Sequence, residues 1–293
     1  TYNFACGVDD HLMGVTHIFR GREHVTNTVK QEYLYKHFGW KYPVAVHFGR
    51  LGVEGTVLSK SRIREGLRKG LYRGLDDPRL ATLRALRRRG IVPEAIWDLI
   101  LEVGVKPTPA TISLENLHST NRKYVEPIAN RYMFVPNPAL LEIEGELEEL
   151  VAKIPRHPSY PERGVRELRL RLEQGRIRVY VSKSDLENVN VGSELRLLGL
   201  ANIVVKGESV ARVVSLGPEY AKARSLPIVQ WCPVDSAVRV SVLMVRGDEL
   251  VEVRGVAEPA VRELRVGEHA QFYRFGFVIL EDASALKFVY THD

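Results

Sequence analysis

Gly175-Arg-Ile-Arg-Val-Tyr-Val181 alternates apolar and polar positions with a period of two, as a strand with one buried face does. Shorter apolar runs follow this segment at fairly regular spacing, and glycine, proline and aspartate separate them. The runs cover residues 194–198, 203–205, 210–214, 228–231, 237–245, 250–253, 270–275 and 278–280. Many short strands with turn residues between them are typical of β-barrels and β-sandwiches. The chain from about residue 137 onward is therefore predicted to be all-β.

The pattern on the N-terminal side of residue 137 is different. Residues 1–50 look α/β, because Asn27 can cap a helix that ends at Gly39 and residues 42–46 read as a buried strand. Proline and glycine delimit two further predicted helices, at residues 77–90 and 94–103. The predicted fold class is a multi-domain protein, α/β first, then helical, then all-β.

Composition is that of a globular protein with an apolar core, with 45% hydrophobic and 27% charged residues. No run approaches the roughly 18 apolar residues that a membrane span needs, so no membrane partner is expected. Two distant cysteines exclude a disulfide framework and a cysteine-rich zinc site, and a cytoplasmic location is expected. Residues 1–6 read as a strand, and three tryptophans are predicted to lie in the core: Trp40, Trp97 and Trp231.

Positive charge is concentrated in one part of the chain. The net charge is +6, but residues 60–90 alone carry eleven basic side chains against three acidic ones. A basic cluster on an otherwise nearly neutral protein is typical of a polyanion-binding surface. A solvated helix face would give the same pattern, and the charge count alone does not separate the two.

The segment Gly55-Thr56-Val57-Leu58-Ser59-Lys60-Ser61 lies at the start of this basic region. A loop of small residues that presents one lysine suits nucleotidyl transfer, where the protein mainly positions phosphates and neutralises their developing charge. By itself, Ser-Lys-Ser is a weak signal, because the tripeptide is common.

Longer segments around this loop resemble one family. They are TYNFACGVDDHLMGVTHIFRG (1–21), GRLGVEGTVLSKS (49–61), DDPRLATLRALRRRGIVPEAI (76–96), HPSYPERGVREL (157–168) and GVAEPAVRELRVGEHAQFYRFGFVILED (255–282). In this order they resemble glutamyl-tRNA synthetases of the archaeal–eukaryotic branch, which are class I aminoacyl-tRNA synthetases. The Leu58–Ser61 loop resembles the KMSKS signature of that class. The strand-rich second half indicates this branch, since bacterial glutamyl enzymes have a helical anticodon domain instead.

The resemblance implies a domain order. Residues 1–55 would be the second half of a Rossmann-type catalytic domain, and residues 56–136 the KMSKS-type loop with a helical subdomain against the tRNA stem. Residues 137–173 with 245–293 would form a proximal anticodon-binding barrel, and residues 174–244 a distal one. The half that contains the HIGH motif is expected upstream, so we expect the chain to be a carboxy-terminal portion that is inactive alone.

An ATP site is also implied. The resemblance places adenine near Arg50 and Leu51 and the phosphates near Lys60, with Ser59 and Ser61 as the other catalytic-loop residues and Leu58 beside them. Mg²⁺ is expected to be held mainly by the ATP phosphates. Acidic residues and histidines near the N-terminus do not have zinc-signature spacing, so no protein-liganded metal is predicted: Asp9, Asp10, His11, His17 and His24.

The amino-acid substrate is predicted from three positions. In the family, the residue at Tyr2 contacts the substrate, and Cys6 falls where other members shape the pocket. The position of Arg20 separates the two specificities of the family, because a guanidinium fork pairs with a glutamate carboxylate. Glutaminyl enzymes have a small uncharged residue there, since a buried arginine beside a neutral amide would remain unpaired.

Contacts to tRNA are predicted in two places. Arg131, Gln271 and Arg274 align with residues that meet anticodon bases in the glutaminyl relatives, and the alternative for Gln271 is an outward-facing strand residue. Arg84, Arg87 and Arg88 are expected to face the tRNA backbone, where contacts give affinity rather than sequence discrimination.

The predicted function is ATP-dependent attachment of glutamate to its tRNA through glutamyl-adenylate. The implied partners are ATP, Mg²⁺, glutamate and tRNA(Glu), with tRNA(Gln) left open, and a monomer is expected. Three alternatives remain at this point: a glutaminyl-tRNA synthetase, a non-catalytic tRNA-binding fragment, or an unrelated nucleotide-binding or DNA-binding protein.

Overall fold

The computed structural model describes residues 1–146 and 148–293. The α-helices are α1 Tyr2–Leu12, α2 Val25–Phe38, α3 Lys60–Arg68, α4 Leu83–Arg88, α5 Pro93–Val103, α6 Leu114–Val125, α7 Lys183–Glu187 and α8 Pro218–Arg224. The first strands are β1 His17–Gly21, β2 Val44–Phe48, β3 Leu51–Val53, β4 Ala110–Ile112, β5 Asn130–Tyr132, β6 Phe134–Pro136, β7 Pro138–Glu144, β8 Glu149–Pro155, β9 Val165–Arg171 and β10 Arg176–Ser182. The remaining strands are β11 Glu194–Leu197, β12 Asn202–Gly207, β13 Val210–Ser215, β14 Ile228–Val229, β15 Trp231–Pro233, β16 Val238–Arg246, β17 Glu249–Ala257, β18 His269–Phe272, β19 Gly276–Asp282 and β20 Lys287–His292.

The chain divides into two compact units. The first, which we call the α/β unit, consists of Thr1–Leu71 and Pro93–Asn121. The second, which we call the barrel unit, consists of Tyr72–Val92 and Arg122–Asp293. The predicted fold class, α/β followed by all-β domains, is confirmed.

In the α/β unit, strands β1 and β2 pair in parallel, with Arg20 opposite His47, and β3 pairs in parallel with β4. Helix α2 ends where predicted, because Gly39 adopts the left-handed conformation (φ +68°) that closes a helix. Gly49 lies between β2 and β3 and approaches the backbone of Thr108 so closely that an added Cβ would stand 2.1 Å from its carbonyl oxygen. Only glycine fits this position, which therefore sets the entry of the chain into β3.

Several local predictions for this unit are wrong. Asn27 does not cap α2, because the helix begins at Val25 with His24 as its N-cap. The strand predicted at residues 42–46 is β2, and none of its residues is buried.

Residues 1–6 are not a strand, because helix α1 begins at Tyr2. The alternation of Tyr2, Phe4 and Cys6 mimics a strand, yet α1 packs on α2 through the small Gly7, its buried residue. Trp97 is not in the core, since α5 buries Ala95 and Leu99, and Trp97 lies on another face with 66% exposure.

In the barrel unit, two sheets of seven strands carry the fold. Their strand orders are β14-β11-β12-β13-β7-β10-β15 and β5-β18-β19-β20-β16-β17-β6. In each sheet the first and last strands are separated along the chain by one residue, Gln230 in the first and Met133 in the second. The two edges of each sheet must therefore come together, which curls both sheets into near-closed barrels.

Strand β6 connects the cores of the two barrels. Phe134 points into the apolar cluster of the second barrel with Phe272 and Phe288, whereas Met133 and Val135 point into the cluster of the first. Alternate side chains of a strand face opposite ways, so one short strand serves both cores. Trp231 is fully buried in the first core, as predicted.

The predicted strands after residue 175 are confirmed to within a few residues, but the sheet order groups them in a way that spacing does not indicate. Strand β7 pairs with β10 and β13, so residues 138–144 share a sheet with residues 176–233. The family resemblance instead groups residues 137–173 with 245–293.

The helix predicted at residues 77–90 begins only at Leu83, with Thr82 as its N-cap. Asp77 does not cap it. Its carboxylate accepts hydrogen bonds from the backbone N–H groups of Arg73 (3.0 Å) and Arg79 (3.1 Å) and from Arg79 Nη2 (2.7 Å). These bonds hold residues 73–79 in a turn, because a short carboxylate side chain competes with helix for the backbone N–H groups.

Candidate functional site

A cavity of about 580 Å³ in the α/β unit surrounds the Ser-Lys-Ser loop. Lys60 is the first residue of α3 and Ser59 is its N-cap. The Ser59 hydroxyl makes no capping bond and instead lies 3.0 Å from the Ser61 hydroxyl. The first N–H groups of α3 are thus left without a capping side chain beside a lysine, an arrangement that favours an anion.

The lining of this cavity brings together all of the residues predicted for ATP. It consists of Arg50, Leu51, Leu58, Ser59, Lys60, Ser61 and Arg64. Three of these side chains are cationic, and none of these lining residues is acidic. Arg64 was not among the predicted site residues, although its spacing of four from Lys60 on a helix places both on one face. The cavity can hold a polyphosphate.

Arg20 lies on β1 and is 8% exposed. Its Nη1 donates to Gln31 Oε1 at 2.9 Å and to Thr28 Oγ1 at 3.4 Å. Both acceptors are neutral, and no carboxylate of residues 1–146 or 148–293 forms an ion pair with Arg20. A buried guanidinium without a carboxylate partner is expensive, so it is a good receptor for a carboxylate ligand.

Further side chains complete the surroundings of Arg20. Tyr42 OH donates to the same Gln31 oxygen at 3.0 Å, and Thr28 Oγ1 lies 2.9 Å from His47 Nε2. Burial raises the pKa of the Tyr42 phenol, while Arg20 acts to lower it. The sequence carried no signal for Gln31, Thr28, Tyr42 or His47, because their convergence depends on how α2 crosses β1 and β2.

Tyr2 and Cys6, the other predicted glutamate contacts, lie on α1. Tyr2 is 56% exposed, and Cys6 is half-buried with its thiol 3.6 Å from Asp10 Oδ2. Burial and the charge of Asp10 raise the pKa of the Cys6 thiol, whereas a bond from Tyr2 and the charge of Arg20 act in the other direction. The structure thus brings the three predicted residues into one neighbourhood.

In the barrel unit, Arg131 and Gln271 are brought together. Strand β18 pairs in parallel with β5, and these two residues are register partners. Arg131 Nη2 lies 3.3 Å from Glu126 Oε1. Arg131 Nε and Gln271 Oε1 are buried and have no hydrogen-bond partner in the described residues. A donor and an acceptor on two adjacent strands therefore have no hydrogen-bond partner among the described residues.

Arg274 stands three positions after Gln271 but has a different environment. It adopts a left-handed conformation (φ +56°), and its guanidinium forms two 2.9 Å bonds to Asp185 and one 2.8 Å bond to Gln230. To reach a base, this side chain would have to exchange those partners.

The arginines predicted to contact the tRNA backbone also differ in whether they pair with residues of the chain. Arg84 and Arg87 are exposed on α4. Arg88 is partly buried and pairs with Glu281 (2.5 Å) and Asp76 (3.3 Å). Arg88 thus ties α4 to β19, while its two neighbours on the helix face solvent.

Comparison with known proteins agrees with this arrangement. Residues 1–127 match tRNA synthetases class I (E and Q), catalytic domain, and residues 129–216 and 228–281 each match an anti-codon binding domain of the same class. The chain is 53% identical to a glutamate–tRNA ligase of Thermofilum pendens, 49% to one of Pyrococcus abyssi and 48% to one of Caldivirga maquilingensis. These alignments cover 100%, 99% and 100% of the chain and 50%, 51% and 50% of the relatives. The chain spans about half the length of the curated relatives that it matches.

Proposed function

The chain belongs to the class I tRNA synthetases of the E and Q type, and we propose that it acts in the ATP-dependent attachment of glutamate to tRNA(Glu). In this proposal the α/β unit supplies the KMSKS-type half of the ATP site. The barrel unit supplies the anticodon-binding region, in which β7 and β10–β15 form one barrel and β5, β6 and β16–β20 form the other. Residues 56–136 contact the tRNA stem.

The cavity around Lys60 carries the proposal. Arg50, Lys60 and Arg64 surround it without an acidic neighbour in the lining, and the start of α3 faces the same space. A triphosphate needs this combination of cations and unpaired N–H groups. A non-catalytic tRNA-binding fragment would not need it, which disfavours that alternative.

The chemistry proceeds in two displacements. A glutamate carboxylate oxygen attacks the α-phosphorus of ATP, the bond to the β-phosphate oxygen breaks, and pyrophosphate leaves. A hydroxyl of the terminal adenosine of tRNA then attacks the carbonyl carbon of glutamyl-adenylate, and AMP leaves. Lys60 stabilises the negative charge on the phosphates during the first displacement, with Ser59 and Ser61 holding the loop.

Mg²⁺ would be held mainly by the ATP phosphates and would neutralise their charge when bound. Among the described residues, no three His, Cys, Asp or Glu side chains stand together as a metal site. The polar residues around Lys60 are cations and hydroxyls, which suits a metal carried in by the nucleotide.

Arg20 supports glutamate as the amino acid. Its neutral partners, Gln31 and Thr28, leave the charge uncancelled, so a side-chain carboxylate is the complementary ligand. Tyr2 and Cys6 are proposed as further contacts of the same glutamate. Glutamine would leave the guanidinium unpaired, which disfavours the glutaminyl alternative.

Arg131 and Gln271 support anticodon recognition, because single-stranded bases are read by hydrogen bonds from such unpaired groups. Arg274 would join them after leaving Asp185. Arg84, Arg87 and Arg88 are proposed for the tRNA backbone, with Arg84 and Arg87 the accessible pair. A monomer in the cytoplasm is proposed, and tRNA(Gln) is a second substrate to assay beside tRNA(Glu). None of the helices in the described ranges is long and apolar enough to cross a bilayer.

The test is Lys60→Ala in the complete enzyme. We expect glutamate-dependent pyrophosphate exchange to fall by about 10²- to 10³-fold, the usual effect of losing a preorganised charge contact. Lys69→Ala is the matched control, since Lys69 is the C-cap of the same helix and pairs with Glu65 at the surface. An exchange rate equal to that of the control would overturn the role of Lys60.

A further inference from the structure

Gln31 lies on helix α2, is fully buried and contacts Arg20 of strand β1. Its side-chain oxygen accepts two hydrogen bonds, from Arg20 Nη1 (2.9 Å) and from Tyr42 OH (3.0 Å). A guanidinium has no acceptor, so the amide must turn its oxygen toward Arg20. The orientation of the amide is therefore fixed by the arginine.

The other end of the same amide has no partner. Gln31 Nε2 is buried and makes no hydrogen bond to any described residue. A buried donor without an acceptor is unfavourable, and a glutamate side chain at this position would have the same shape, would lack that donor and would pair with Arg20. By hydrogen bonding alone, the acid would be the better residue. The amide at this position therefore needs a reason other than hydrogen bonding.

Charge supplies that reason. An acid at position 31 would form an ion pair with Arg20 inside the protein and cancel the charge that a ligand carboxylate meets. A neutral oxygen orients the same guanidinium and leaves its charge intact. Thr28, the second acceptor for Arg20, is neutral as well.

We propose that Gln31 is a positioning residue that aims the Arg20 guanidinium at the substrate and, by being neutral, preserves the preference for glutamate over glutamine. This inference rests on the proposed function, because it takes Arg20 as the receptor for the glutamate side chain. Gln31 acts through Arg20 and is not assigned a contact with the reacting atoms.

The decisive variant is Gln31→Glu in the complete enzyme, with Gln174→Glu as a matched control on the exposed surface of the barrel unit. We expect kcat/KM for glutamate to fall by about 10- to 100-fold, the scale of one charge-assisted hydrogen bond, mainly through a higher KM. The ratio of kcat/KM for glutamate to that for glutamine should fall by a similar factor. The melting temperature should stay level or rise, since the unpaired donor is gone.

A second variant separates charge from orientation. Gln31→Met fills the same space, removes the acceptor and leaves Arg20 charged, so it should weaken glutamate binding but keep more of the glutamate preference than Gln31→Glu. A Gln31→Glu enzyme with the wild-type ratio of glutamate to glutamine activity overturns the inference, as does an equal loss with both amino acids. If the wild-type enzyme charges no glutamate, the proposed function fails first and this inference falls with it.

Discussion

Two buried arginines show how the α/β unit and the barrel unit use the same side chain differently. Arg166 in the barrel unit is 6% exposed, and its Nε donates to Glu258 Oε2 at 3.0 Å. Arg20 in the α/β unit is similarly buried, but its hydrogen-bond acceptors are neutral. A guanidinium paired with a carboxylate of its own chain serves the fold, whereas one held by neutral groups remains available to a ligand.

The Arg166 pair lies at the link between the two barrels. Glu258 Oε1 also accepts from the backbone N–H of Met133 (2.8 Å), the single residue between β5 and β6. Arg166 stacks over the ring of Tyr132, with its central carbon 5.0 Å from the ring centroid. Burial raises the pKa of the Glu258 carboxyl, although the charge of Arg166 acts to lower it. Removing either partner would leave an uncompensated group in the core.

The largest loss of unfolding free energy is therefore expected for Glu258→Ala. Breaking a buried pair by removing one partner costs about 3–5 kcal/mol, because the other charge stays buried. Urea unfolding followed by circular dichroism measures this change. Glu252→Ala is the matched control, since Glu252 pairs with Arg254 at the surface and should cost less than about 1 kcal/mol. Equal losses for the two variants would remove the distinction between the buried pair and the surface pair.

Arg20→Met should show the opposite profile, with a large loss of activity and a small loss of stability. The variant leaves no buried charge behind, and Gln31 Oε1 keeps its bond from Tyr42. We expect kcat/KM for glutamate in the complete enzyme to fall by about 10²- to 10³-fold. Charging assays and urea unfolding on the same preparations check both parts. An unfolding loss as large as that of Glu258→Ala would mean that Arg20 serves the fold as Arg166 does.

The smallest of these effects is expected at Asp77, whose partner Arg79 is 20% exposed. Burial opposes ionisation of Asp77, but the bonds from Arg79 and the Arg73 backbone outweigh it and lower its pKa from 3.8 to about 2. Because the folded pKa lies below the unfolded one, the stability contribution is complete above pH about 4 and is lost as the pH falls to about 2. We expect about 1–2 kcal/mol after solvent screening.

Asp77→Asn isolates this contribution from that of other carboxyl groups. The difference in unfolding free energy between wild type and variant, measured in urea at several pH values, should shrink as the pH is lowered through this window. A difference that stays constant or grows would contradict the assignment of the low pKa to Asp77.

Strand positions were largely predictable, because a half-buried strand repeats every two residues and that repeat is visible in the sequence. The helix ends at Gly39 and Gly104 were predictable for a similar local reason, since both glycines adopt left-handed conformations. Local pattern failed where a tertiary contact competed with it. Asp77 binds Arg79, so α4 begins later in the chain than predicted. Residues 1–6 alternate like a strand but form a helix, because α1 packs on α2.

The candidate site was predictable in its motif and not in its surroundings. The family resemblance of the segments that contain them predicted Lys60, Arg20, Arg50 and Leu51 as site residues. Whether an arginine is available to a ligand was not predictable. Asp185, which holds Arg274, is 89 positions away in the sequence, and Glu281, which holds Arg88, is 193 positions away.

The sequence by itself determined the order of the units, most of the strands, the loop that presents Lys60 and the family to which the chain belongs. Only the tertiary structure decided which buried arginine meets a carboxylate and which meets an amide. Ion pairs and buried hydrogen bonds depend on distances of a few ångströms between side chains on different elements, and the linear order of residues does not encode those distances. Gln31, one glutamine inside a helix, has a role only because α2 places it behind Arg20.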